Sequence, residues 1–506
     1  MKKNIKFALK SFVFVILLAI VLGITTYILI PKFYYNSDWP TSSTFSGFYE
    51  MEENSVDVLF LGSSHSVSAF SPQYLYDEFG IRSYNLGCEQ QNLITTYYWL
   101  KECLKYQSPK VVVLENYLCY DYMPAYKMNC EENRLRKAVD FMRLSENKIE
   151  FINALCENDE SFDKLSFYFT NLRYHDRWKE LTASDFTLDK VKNQNQMKGF
   201  SLLTKKCNNT NYVPYSAKDI PNTQKIEMHS LMKEYLEKIT QLCEDQNISL
   251  ILTTIPTNRY ELGKHITTLE YAKEHSLDYF DFNEISLYNE ISYNFPNDNR
   301  DGDHANVWGA HKLTHKIGEI LLEKYNVSPK EDSCWNDTKD FYNKLCEYSK
   351  LREIDDLEQY LNALYEMLYD GSEFDSRYML FISVKNDCAT SMTDGYLAGF
   401  SKLGLSPDKL SIINNSYYAI LSSQDIQEES FPYALTLNGH TPNGDMEYSV
   451  TSGGRYGGSK ASIKINGTEK AINYVGINIV LYDTVLEYTV DSVTFNTSDP
   501  KMKVSR

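Results

Sequence analysis

Between residues 56 and 327, short apolar runs alternate with longer stretches whose apolar positions recur every three or four residues. The short runs are 56–61 ("VDVLFL"), 83–86, 110–115 ("KVVVLE"), 248–255 ("ISLILTTI") and 278–282 ("DYFDF"). They have strand length, while 92–106, 224–246 and 307–325 have helical period, the last with Leu313, Ile317, Ile320 and Leu321 on one face. Strands alternating with helices predict an α/β domain over 54–327 with a mostly parallel sheet. Residues 120–220 are polar and aromatic with few clear strands, and they read as an insertion.

Two further texture changes follow. Residues 328–375 are highly charged with helical period and predict a helical connector. From 376 to 499 the pattern turns β-rich, with "YMLFISV", "SIKI" and "VGINIVLYD" separated by glycine turns such as "SGGRYGGS". That region predicts a second domain of α+β type.

The N-terminus is a different case. Lys2, Lys3, Lys6 and Lys10 precede an apolar stretch from Phe12 to Ile30. At about 1.5 Å per residue this stretch matches a hydrocarbon core of about 30 Å. Lysines before the span predict a cytoplasmic N-terminus, a transmembrane anchor within residues 1–33 and a body outside the membrane. A cleaved signal peptide is the alternative, although no A-x-A site follows.

Composition narrows the function. With 51 basic and 68 acidic residues, the net charge is -17, which argues against a nucleic-acid partner. The 40 tyrosines either offer flat faces to sugar rings or reflect composition alone. Ten cysteines lack C-x-x-C spacing, which argues against a zinc site, and any pairing among them is open. Asn-x-Ser/Thr triplets occur at Asn208, Asn247 and Asn466 and carry weight only in a host that glycosylates.

Candidate chemistry lies at the two ends of the α/β region. In "LFLGSSHS", Gly62 permits an abrupt exit from the first strand and leaves Ser63 and Ser64 at its carboxyl end, where open α/β sheets hold ligands. In "DGDHANVWGAHKL", Asp301 stands three residues before His304, just ahead of a helix, so a loop can present a base and the carboxylate that orients it. Ser63 remains an alternative to Ser64, and Asp303 to Asp301. His65 reads as structural or substrate-facing, and His311 and His315 as helix surface.

These blocks resemble the SGNH (GDSL-like) hydrolase superfamily, in particular its membrane-anchored branch of lipoteichoic acid D-alanylation and polysaccharide acetylation proteins. "GSS" is similar to the family's first block and implies Ser64 as nucleophile; "DGDH" is similar to the last and implies Asp301 and His304. "YNLGCEQQ" resembles the second block and implies an oxyanion hole of Ser64 and Gly87 backbone N–H groups. "VVLENYL" is partly similar to the third, without its glycine, and implies Asn116 as a further donor. The resemblance implies a flavodoxin-like sheet, no metal and no organic cofactor. It also implies ester hydrolysis or O-acyl transfer on a cell-surface polysaccharide or wall polymer, beside a membrane-bound O-acyltransferase. A catalytically silent glycan-binding or assembly protein is the alternative.

In the C-terminal region, "LFISVKNDCATSMTDGYLAGFSKLGL" and "ASIKINGTEKAINYVGINIVLYDTVLEYTVDSVTFNT" resemble the interleukin-like EMT inducer domain with the two stretches in reversed order, which implies a circular permutation.

Overall fold

The computed structural model describes residues 2–33, 37–122, 132–181, 183–186, 196–207, 211–216, 218, 220, 223–442 and 444–506. Cys130 and Asn208 lie outside these residues, as does part of the insertion. The chain divides into two compact units, Met1–Asn343 and Lys344–Arg506.

In the first unit, five strands form one sheet: β1 (Val58–Leu61), β2 (Ser83–Asn85), β3 (Val111–Glu115), β4 (Ser249–Thr254) and β5 (Asp278–Asp281). All pairings are parallel and the order is β2-β1-β3-β4-β5, that of a flavodoxin-like doubly wound sheet. The apolar runs are continuous because this sheet is covered on both faces. Alternate residues therefore serve different cores. Leu59, Leu61, Val112, Leu114, Leu250 and Leu252 point to one, while Val58, Phe60, Val111, Val113 and Ile251 point to the other. Helices Leu93–Cys103 and Ser230–Asp245 close the first core. Helix Val307–Glu323 closes the second through Leu313, Ile317, Ile320 and Leu321.

Among the described residues no strand lies between Glu115 and Ser249, in keeping with an insertion outside the sheet. The insertion is nonetheless no mere appendage. Its helices Glu132–Phe141 and Glu146–Asn158 send Leu135, Phe151, Ile152 and Leu155 into the first core. N-terminal to these elements is helix α1 (Lys2–Leu29), whose Ile5–Leu29 segment is apolar, long enough to cross a membrane and unburied by the protein.

The second unit is a curled mixed sheet. Strand Tyr378–Asn386 pairs antiparallel with Gly476–Asp483 and with Ser416–Leu421, and its last residues run parallel to the end of Glu447–Gly454. The glycine-rich "SGGRYGGS" turns from Glu447–Gly454 into Lys460–Ile465. The helical connector expected over 328–375 is not a separate piece. The boundary between units falls inside helix Ser333–Leu351, and helix Leu357–Leu368 belongs wholly to the second unit. Polar anchors explain this. Tyr348 donates to Asp483 Oδ2 at 2.6 Å and Tyr360 to Asp491 Oδ2 at 3.0 Å, both acceptors being buried.

Asp483 also accepts from Arg377 Nε at 2.8 Å and from the Val485 and Leu486 N–H groups at 2.9 and 2.8 Å. Asp483→Ala removes the common acceptor of these donors, and we expect it to lower the stability of this unit by about 3 kcal/mol. Urea titration read by proteolysis of the unit measures this; an unchanged midpoint would show that the cluster contributes nothing.

Candidate active site

The site begins at the end of β1. Gly62 has φ +145°, a conformation L side chains avoid, and a Cβ there would stand 2.9 Å from Glu115 Cβ and 3.0 Å from Ser66 Cβ. Only glycine lets the strand turn this sharply against β3. Ser63 then caps the short helix Ser64–Ala69, its Oγ accepting from His65 N–H at 3.3 Å. Ser63 Oγ donates onward to the buried Glu115 carboxylate at 3.4 Å, which leaves Ser64 as the hydroxyl facing outward.

The partner loop is built locally. Asp301 Oδ1 accepts from the Asp303 and His304 N–H groups at 2.8 and 3.0 Å, an Asx-type turn that holds the carboxylate beside the imidazole. Asn306 then caps helix Val307–Glu323, accepting from Trp308 and Gly309 N–H, both at 3.2 Å. His304 Nδ1 lies 3.0 and 3.1 Å from the two Asp301 oxygens, and its Nε2 lies 2.9 Å from Ser64 Oγ. Because a carboxylate only accepts, Nδ1 carries the ring proton and Nε2 is left to accept from the serine hydroxyl. Burial raises the Asp301 carboxyl pKa. The His304 hydrogen bond and charge, with the two backbone N–H groups, outweigh this and hold it well below the ordinary value.

The alternatives resolve in geometry. Asp303 is engaged elsewhere, 3.1 Å from Arg259 Nη2 and accepting from Thr257 Oγ1 at 3.2 Å. Gly87 packs against the serine turn: a Cβ on it would meet Val67 Cγ2 at 2.6 Å and Gly62 O at 2.9 Å. Asn116 is not brought to the site. Its side chain is fully buried, donating to Thr268 Oγ1 at 3.0 Å and Tyr260 OH at 3.4 Å and accepting from Thr254 Oγ1 at 2.6 Å. Asn116, the residue just after β3, is satisfied inside the fold, so the third oxyanion donor expected from sequence is absent from the cavity lining.

Ser64 and His304 open into a cavity of about 410 Å³ whose walls include Trp39, His65, Tyr117, Arg259 and Arg300. His65 is buried yet lines this cavity. Its ring packs on Tyr117 at 4.1 Å and edge-on to His304 at 5.5 Å, and its Nδ1 is 3.5 Å from Glu115 Oε1. Trp39 lies 5.0 Å from the His304 ring, and Arg300 Nη2 pairs with Asp38 at 2.6 Å. Sequence reading missed Trp39, Glu115, Tyr117 and both arginines. Only Glu115, a carboxylate closing an apolar strand, gave any local signal. His311, read as helix surface, instead stacks on Tyr74 at 4.3 Å and hydrogen-bonds Tyr342 OH at 2.8 Å, and burial lowers its pKa to about 4.

No protein-family model matches the chain, and no curated protein matches it.

Two outcomes follow from this geometry. Gly62→Ala must either strain φ or push Glu115 aside, a cost of about 2 kcal/mol or more, visible as a lower thermal midpoint than the parent. An unchanged midpoint would contradict the close approach. Because the Asp301 pKa is depressed on folding, its contribution to stability is present above the unfolded value of about 4 and fades as pH falls through the folded one. Asp301 is nearly half exposed, so the effect stays below about 1 kcal/mol. The stability gap between parent and Asp301→Asn should therefore narrow below about pH 4 in paired denaturation curves.

Proposed function

We propose that this protein is a serine-dependent acyl-ester hydrolase or O-acyltransferase of the SGNH type, acting on a cell-surface glycan or wall polymer. The observation that carries the reading is the unbroken chain Ser64 Oγ, His304 Nε2, His304 Nδ1, Asp301, opening into a cavity at the carboxyl edge of a parallel sheet. Ser64 attacks an ester carbonyl while His304 Nε2 takes its proton. The developing oxyanion is met by the Ser64 and Gly87 N–H groups, neither of which has a protein acceptor among the described residues. Collapse expels the alcohol, which leaves with the proton from His304, and Ser64 holds the acyl group. Water then completes hydrolysis, or a sugar hydroxyl completes transfer, with His304 again accepting the proton.

In this reading α1 anchors the protein in the cell membrane with its body outside, and a membrane-bound O-acyltransferase supplies acyl groups. The C-terminal unit is an accessory domain like the interleukin-like EMT inducer domain in permuted order. One observation favours a second reading, a silent glycan-binding protein: Asn116 is withdrawn from the cavity.

The full chain in detergent should hydrolyse 4-nitrophenyl acetate, and Ser64→Ala and His304→Ala should each lower kcat at least about a thousandfold. Equal turnover by parent and Ser64→Ala would reject the acyl-enzyme and leave the binding reading.

A further inference from the structure

The insertion carries a second surface that the ester chemistry does not use. Leu165, Phe169, Leu172, Trp178 and Phe186 are each more than half exposed, five large apolar side chains within 22 residues. Scattered surface apolar residues are ordinary, but a cluster of this density marks a contact with something apolar. Leu165 lies in the short helix Lys164–Tyr168, Leu172 in Asn171–Tyr174, and Phe169 at the turn between them.

The opposite side of this segment is firmly held. Phe167 is buried beneath the Arg136 guanidinium, 4.3 Å from its ring, and Arg136 donates to Ser166 Oγ and Ser166 O at 2.8 and 2.6 Å. The exposed apolar side is therefore the outer face of an ordered element.

What lies against it can be read from α1. Asn171 Nδ2 donates to Thr25 Oγ1 at 3.2 Å and approaches Leu22 O at 3.5 Å. Arg177 Nη1 donates to Ile28 O and Leu29 O, both at 3.2 Å, satisfying terminal carbonyls of α1 with a cation. Leu22 and Thr25 precede the end of α1 by seven and four residues, which at 1.5 Å rise is about 6–10 Å. The insertion thus descends alongside the apolar helix to a depth typical of interfacial amphipathic helices, about 5–10 Å.

We propose that residues 164–181 form a collar seated in the outer-leaflet interface of the bilayer that α1 spans, with Phe169, Leu172 and Trp178 among the acyl chains. The proposal rests on the anchor part of the function argued above and not on its ester chemistry. The occupant is lipid because the patch sits beside the apolar surface of α1, at a level water-facing partners do not reach.

The full chain, reconstituted into vesicles of phosphatidylcholine and phosphatidylglycerol brominated near the top of one acyl chain, provides the test. Flotation with the vesicles reports whether α1 is inserted, so failure of the anchor is distinguished from failure of the collar. In floated protein, tryptophan emission should be quenched in the parent and the quenched component lost in Trp178→Phe. Leu172→Trp in the Trp178→Phe background should restore it. Equal quenching in parent and Trp178→Phe, no quenching in either, or no restoration would overturn the proposal and assign the patch to a protein surface.

Discussion

The hydrogen bond from Ser64 Oγ to His304 Nε2 joins residues 240 positions apart, and the candidate site depends on it. It can form only because the parallel sheet brings the end of β1 and the loop before helix Val307–Glu323 to one edge. In the order β2-β1-β3-β4-β5, the topological switch falls between β1 and β3, so their carboxyl ends leave a crevice. Gly62 sets how closely those ends approach, and Glu115 fills the space beneath the turn. A bulkier residue at 62 would move Ser64 before it touched any chemistry.

What the sequence made legible follows from the range of each interaction. The continuous apolar runs announced β1, β3 and β4 because burial on both faces demands them. Asp301 and His304 were visible because an Asx-type turn and its helix cap are local, needing only the spacing of Asp301, His304 and Asn306. Trp39, Arg259 and Arg300 were not visible, since each enters the cavity through tertiary folding and no short pattern encodes it. Helix Leu262–Glu274 escaped notice for a related reason: its buried side includes His265, Thr268 and Tyr271, residues that carry little apolar period. Asn116 misled because a polar residue at a strand end can be satisfied inward as well as outward. Here Thr254, Tyr260 and Thr268 supply the inward partners.

The electrostatics of the cavity are balanced by pairing. Arg259 faces Asp303 and Arg300 faces Asp38, while Asp301 is held by imidazole and backbone donors. A polar group entering the cavity therefore meets arginines that already have carboxylate partners. The flat faces of Trp39 and Tyr117 add apolar surface to the same wall.

The placement of Trp39 links the cavity to α1. It lies ten positions beyond Leu29, and a fully extended chain covers at most about 3.3–3.6 Å per residue. The His304 imidazole, in contact with Trp39, therefore stands no more than about 50 Å from the end of α1, whatever path the intervening chain takes. Arg177 tightens this bound by fastening the last turn of α1 to the insertion, because a helix whose final carbonyls are held by a side chain from another element does not swing freely. If α1 spans a bilayer, Ser64, the nucleophile of the proposed function, is confined to within that distance of it. Under the proposed function, a long polymer could present only the segment that comes within that distance. Selection among chemically identical esters would then arise from distance to the membrane, before any contact inside the cavity discriminates between them.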